Sequence, residues 1–358
     1  MLRSVGVGFG VVCVFLAMTA CGGSSECDPS AEACDMAHLF PERTLMPGEE
    51  QSGVCQSWTL NNPTELWVNT VDMANRGVFH HSNWFFVPDN NYEAPDGWWN
   101  CEDYEFDELI AAILGGYIFA QTTQTSDESQ TFPNGAAVRI PPYSRIIGSS
   151  HLLNASDNPA TTSMDITLRT LPSDDVQVKL APARIEYHDL QIVANGQSSF
   201  TTDCYVGPEY QNVMGEDWKF TLYHMLPHYH ELGIFAEMQI LGGPRDGEVI
   251  YRHDGYGGEN FGHTFDPPID FPAEGATGIR YTCGFMNPRA EEVRWGIGDQ
   301  EMCVTAIFAD TDMAFQGQVN RGNNEVTGTL PDGTVTNAGA CSLLGIPWDH
   351  NKEGGPPR

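Results

Sequence analysis

The chain has 358 residues, room for about two domains of the usual ~100–200 residues. A formal net charge of −31 argues against nucleic acid and anionic membrane surfaces as partners, since both repel an acidic protein. Abundant Gly (37) and Pro (23), with only 18% charged residues and no fixed repeat, predict many short strands and turns rather than long helices.

Residues 1–20 read as an export signal. Arg3 supplies a positive charge, and the apolar stretch from Val5 to Ala17 is too short to span a bilayer comfortably. The following Met18-Thr-Ala-Cys21 resembles a bacterial lipobox with Cys21 as the lipidated residue, although Met18 stands where Leu is usual. An ordinary secretory signal cleaved near Ala20 is the alternative, and both readings export the protein. Lipidation would anchor it by acyl chains, as a bacterial lipoprotein facing the periplasm or the cell surface. Of the ten cysteines, Cys13 leaves with the signal and Cys21 takes lipid. That leaves Cys27, Cys34, Cys55, Cys101, Cys204, Cys283, Cys303 and Cys341, an even set that reads as disulfides in an exported chain.

Residues 21–46 are small, polar and acidic and suggest a tether, with ordered sequence starting near Pro47. Strands are expected at 57–60 and 77–87, a short helix over 106–120, and further strands at 137–140 and 144–153. Leu171-Pro-Ser-Asp-Asp marks a break, giving an N-terminal domain over 47–180 and a C-terminal domain over 181–345. After the break, strands are expected at 176–180, 184–193, 219–230, 233–241, 247–252, 278–285 and 302–308, with a loose tail at 346–358. The expectation is an all-β protein of two tandem sandwiches.

Several residues are candidate ligands. His228 and His230, two apart on a strand, share a face with Cα atoms about 6–7 Å apart, near enough for one metal, while Tyr229 faces away. Two half-exposed surface histidines would show the same pattern. His224 lies on that face but about 13 Å from His228, too far to join it. A cupin reading lacks its glutamate, because Ile234 and Phe235 occupy the required places. His80 and His81 are adjacent, so both can serve one metal only at a bulge or a strand end; otherwise one is buried and one exposed. His151 ends a strand. Met302, in Trp295-Gly-Ile-Gly-Asp-Gln-Glu-Met302-Cys303, is a core methionine or a soft ligand. On a strand, it and Cys303 would face opposite sides.

In order along the chain, these segments resemble the copper type II, ascorbate-dependent monooxygenases, the family of dopamine beta-monooxygenase and peptidylglycine alpha-hydroxylating monooxygenase. The matching text is Phe79-His80-His81, Leu109-Ile-Ala-Ala-Ile-Leu-Gly-Gly, Ser150-His151-Leu-Leu-Asn154, His228-Tyr-His230-Glu-Leu-Gly, Tyr281-Thr-Cys283-Gly-Phe-Met-Asn-Pro, and the Met302 segment. It spans about Cys55 to Cys341.

The resemblance implies jelly-roll-like sandwiches and two copper ions per chain. The electron-transfer copper would sit on His80, His81 and His151, and the oxygen-binding copper on His228, His230 and Met302. It also implies the pairs Cys55–Cys101, Cys204–Cys341 and Cys283–Cys303, leaving Cys27–Cys34. The implied activity is hydroxylation of a C–H bond in a small-molecule substrate by a monomer, using O2 and ascorbate or a similar one-electron donor. Departures point to an apolar substrate rather than a glycine-extended peptide. Leu226 stands where the peptidylglycine enzyme has a carboxylate-binding arginine, and Val304 and Ala306 replace polar residues. Ser149 stands for a glutamine. The alternative function is an exported copper-binding lipoprotein for trafficking or storage, without turnover.

Overall fold

A computed structural model describes residues 32–122, 124–256, 261–296 and 298–353. The signal, Cys21 and Cys27 lie outside the described residues. The protein is all-β, with two sandwiches in tandem.

In the first sandwich, one sheet orders Asp35–Leu39, Met164–Leu171, Leu66–Asn75, Ala136–Ile140 and Val178–Lys179, with Asp127–Thr131 also paired to Leu66–Asn75. The facing sheet orders Gly97–Asn100, Glu50–Thr59, Ser144–Leu153, Phe79–Pro88 and Gly116–Ala120. Alternation builds the core between them: Met164, Ile166 and Leu168 turn inward, toward Phe86, Ile146 and Leu152 of the other sheet. Gly148 pairs with Trp84, and a Cβ on Gly148 would lie 2.6 Å from the indole. The glycine therefore lets the buried tryptophan lie flat across its neighbour strand.

The second sandwich has two six-stranded sheets. One runs His263–Asp270, Thr221–His228, Val304–Asp310, Ala181–Tyr187, Met313–Val319 and Ser342–Pro347. The other runs Val249–Asp254, Gly233–Leu241, Gly278–Asn287, Gly196–Cys204, Val335–Ala340 and Asn324–Thr329. Strand pairing changes from one sandwich to the other between Lys179 and Ala181.

The first sheet of this sandwich faces the first domain. Ile307 and Ala309 enter the second core, while Phe308 joins the first domain's core, stacked on Tyr117 at 5.5 Å and tilted against Phe132 at 5.2 Å.

Cys55–Cys101, Cys204–Cys341 and Cys283–Cys303 are disulfides, which places the chain in an oxidising compartment. Cys34 is also disulfide-bonded. No helix among the described residues is long and apolar enough to cross a membrane.

Four expectations need correction. The helix ends early, at Leu114, and Gly116–Ala120 is a strand. A Cβ on Gly115 would strike the carbonyl oxygen of Phe86, so the chain turns there and pairs along Phe79–Pro88. The tether contains structure: Asp35–Leu39 and Arg43–Leu45 pair with Met164–Leu171 and Ala160–Thr162. The described part of the tail, 346–353, is docked rather than loose. Trp348 packs against the first core, Lys352 Nζ donates to the Ile113 carbonyl, and Arg139 donates to the Lys352 carbonyl. Finally, Met302 precedes the strand Val304–Asp310 instead of lying in it.

Candidate metal centre between the two domains

The first domain positions its histidines through a break in sheet register. His81 pairs with His151, but the next pair is Leu152 with Phe79, so His80 is an extra residue, a β-bulge. The other edge of the His151 strand is irregular as well, since Ser150 pairs with Val54 and Leu152 with Gln51. The ring centroids of His80 and His81 are 5.6 Å apart, and His151 lies 4.8 Å from His80 and 5.3 Å from His81. The His151 Nε2–H donates to Glu50 Oε1 at 2.7 Å, which leaves the Nδ1 lone pair free to bind.

The second domain positions its pair at a strand end. His228 is the last residue of Thr221–His228, and His230 follows in the turn to Gly233–Leu241. Between them Tyr229 is buried in the second core, its hydroxyl donating to the Gly255 carbonyl. The rings of His228 and His230 are 5.2 Å apart. His230 Nδ1–H donates to the Gln300 carbonyl at 2.7 Å, leaving Nε2 as its donor atom. Glu301 accepts from the backbone N–H groups of His230 (2.8 Å), Leu232 (2.7 Å) and Met302 (3.3 Å). This one buried carboxylate ties the histidine turn to the methionine segment. Burial lifts its pKa to about 7 against the pull of those three donors. The Cys283–Cys303 disulfide fixes the same segment to the opposite sheet.

The two half-sites meet. His81 is 4.7 Å from His228, and His80 is 5.2 Å from His230. Donor atoms of His81, His228 and His230 all lie within 4.8 Å of one another. Burial, then the neighbouring histidines, lowers the pKa of His80 to about 3 and holds His81 and His228 well below the ordinary value. Burial lowers His151 and His230 too, against the opposing pull of Glu50 and Gln300 respectively. The rings are therefore neutral at pH 7, the form that binds metals. Among the described residues, Nε2 of His80, His81 and His230 and Nδ1 of His151 are buried with no hydrogen-bond partner. Such atoms are costly unless something fills the gap between them. A borderline or soft cation fits this donor set: imidazoles with a thioether nearby suit copper, whereas calcium and magnesium need oxygen ligands.

Beside the cluster opens a cavity of about 610 Å³, lined by His81, His151, His228 and Met302. Leu226, Val304 and Ala306, singled out in the sequence as apolar departures, line it as well. Helix Glu108–Leu114 and the docked tail close other sides through Leu109, Ile113 and Trp348. Arg184 brings a positive charge, paired with buried Glu186 and lying 3.6 Å from Glu108.

All six residues expected to bind metal thus lie at this junction: the five histidines in one cluster, Met302 on the cavity wall. His224 stays outside, its Nδ1 2.9 Å from Thr264 Oγ1. Glu50 and Glu301 support the site without being among its candidate ligands. Glu301 had a signal, a carboxylate beside the candidate methionine. Glu50 had none, since 101 residues separate it from His151.

No family model matches the chain, and no curated protein matches it. The chain is similar to the major capsid protein P2 of bacteriophage PM2, with a TM-score of 0.32, 10% identity, and coverage of 77% of this chain and 98% of that one. A putative secreted protein from Parabacteroides distasonis gives 0.20 and 8%, covering 78% and 90%. Infectious bursal disease virus VP2 gives 0.19 and 9%, covering 79% and 73%. At these TM-scores the matches carry no argument about function.

Proposed function

We propose that the protein is an exported, copper-dependent monooxygenase that hydroxylates a C–H bond of a small apolar substrate. The observation that carries this reading is the convergence of five neutral imidazoles at one junction, where His81, His151 and His228 share with Met302 the wall of a largely apolar cavity. Copper bound there would supply one-electron redox chemistry and reactivity toward O2. The net reaction is R–H + O2 + 2 electrons + 2 protons → R–OH + H2O, with the electrons from ascorbate or another one-electron donor.

The chain's own groups prepare the site. Glu50 and the Gln300 carbonyl fix the tautomers of His151 and His230. Glu301 sets the spacing between His230 and Met302. Met302 offers a thioether that favours the reduced ion. Leu226, Val304, Ala306 and Trp348 exclude water and receive apolar surface. Two copper ions and a lipid anchor on Cys21 belong to the same proposal.

A copper store or carrier requires the ligands but not the cavity, and the cavity favours the enzyme. Ascorbate-dependent O2 consumption separates the two. The proposal expects sustained uptake by copper-loaded protein and none by the metal-free form. Full copper loading with no uptake above free copper would identify a carrier.

A further inference from the structure

We infer that His81, His228 and His230 form one metal site that bridges the two domains, rather than His81 serving with His80 and His151. The inference takes the identity of the ion, copper, from the proposed function; its geometry stands without turnover.

The ring nearest to His81 is not in its own domain. His228 is 4.7 Å away across the interface, against 5.3 Å for His151 and 5.6 Å for His80. His81, His228 and His230 can each present one donor atom within 4.8 Å of the other two. With metal–nitrogen bonds of about 2.0–2.1 Å, bound nitrogens sit roughly 3.4 Å apart, so closing the trio takes shifts of about 1 Å. His230 has committed Nδ1 to the Gln300 carbonyl, and its Nε2 and that of His81 are buried without a hydrogen-bond partner among the described residues. Met302 lines the same cavity as His81 and His228 and supplies a fourth position.

His80 then falls with His151, its nearest ring at 4.8 Å. These two, with Glu50 behind His151, remain for a second ion. The bulge has a purpose under this division: it sends His81 across the interface while His80 stays with its own domain. The second domain alone holds only two of the three imidazoles, so completing the imidazole set requires the first domain to bring His81 across the interface.

The test uses full-length protein and Cu(II) alone, without O2 turnover. Titration calorimetry reads affinity, and pulsed EPR counts coordinated imidazoles at the tightest site. The expected result is three imidazoles in the parent and two in His81→Ala. His81→Ala and His228→Ala should each weaken that site about 100-fold, a lost ligand costing at least as much as a lost supporting group. His80→Ala should leave it within a few-fold. His81→Gln repeats the test should His81→Ala not fold. The inference is overturned if His81→Ala leaves the tightest site unchanged while His228→Ala removes it. It is equally overturned if His80→Ala, His81→Ala and His151→Ala all weaken one site that His228→Ala spares. Failure of the monooxygenase reading looks different: the bridging site fills as described, and O2 is not consumed.

Discussion

The first domain holds its histidines through sheet register, whereas the second holds them through one buried carboxylate. His80, His81 and His151 sit on paired strands, and a single extra residue sets their directions. His228 and His230 sit where a strand ends, and without Glu301 the turn after His228 would lose acceptors for two backbone N–H groups. The carboxylate on the first side, Glu50, has a side chain 43% exposed and accepts from a ring nitrogen of its histidine. One half is therefore built into the fold and tuned from outside, while the other depends on a buried carboxyl group for its shape.

Replacing the two glutamates should expose this asymmetry. Glu301→Ala strands three N–H groups, two of them in the histidine turn, at about 1–3 kcal/mol for each one left unsatisfied. We expect a loss of roughly 3 kcal/mol or more in urea unfolding, with copper affinity falling in parallel. An unchanged midpoint would remove Glu301 from the account. Next in size is Cys283→Ser, which opens a 20-residue link and should cost about 3 kcal/mol. It also frees the Met302 segment, so a sulfur contribution seen by X-ray absorption in the reduced copper form should weaken. Glu50→Gln lies at the other extreme. Its effect on stability should stay within about 1 kcal/mol, as for other exposed partners. Copper affinity should nevertheless drop about tenfold, because the tautomer and orientation of His151 are no longer fixed.

A further effect separates the groups by pH. The five cluster histidines have lowered pKa values in the fold, and His80 binds its proton only near pH 3. Between there and about 6.5 the unfolded chain binds more protons, so their contribution to metal-free stability falls as pH falls. Glu301 and Glu128, each raised to about 7 chiefly by burial, act oppositely and lose stability as pH rises from about 4.5 to 7. Five groups outweigh two. Calorimetry on the metal-free protein should show the melting temperature falling from pH 6.5 to 4.5, and a rise would contradict the assignment.

The sequence made the regular parts of this arrangement legible. Strands expected at 144–153 and 233–241 have those bounds, because β-branched and apolar runs there end in clear turn residues. The five histidines and Met302 were legible as residues, because each stood in a recognisable local string. Their meeting point was not. It depends on Phe308 docking into the first core and on Trp348 closing the tail, contacts that no local pattern encodes. The end of the short helix is not legible, because Tyr117, Ile118 and Phe119 suit either spacing and only the close approach of Gly115 to Phe86 decides it. The sequence suggests a strand through Met302, yet its position comes from Glu301 and the disulfide at Cys303.

The central claim is that the cluster and Met302 together perform oxygen chemistry. Its most direct test compares ascorbate-supported O2 uptake by the copper-loaded parent and by Met302→His, at matched copper content. A third imidazole in place of the thioether shifts preference away from the reduced ion. Met302→His should keep its copper and lose most of the uptake. A Met302→His protein that consumes O2 as fast as the parent would contradict it.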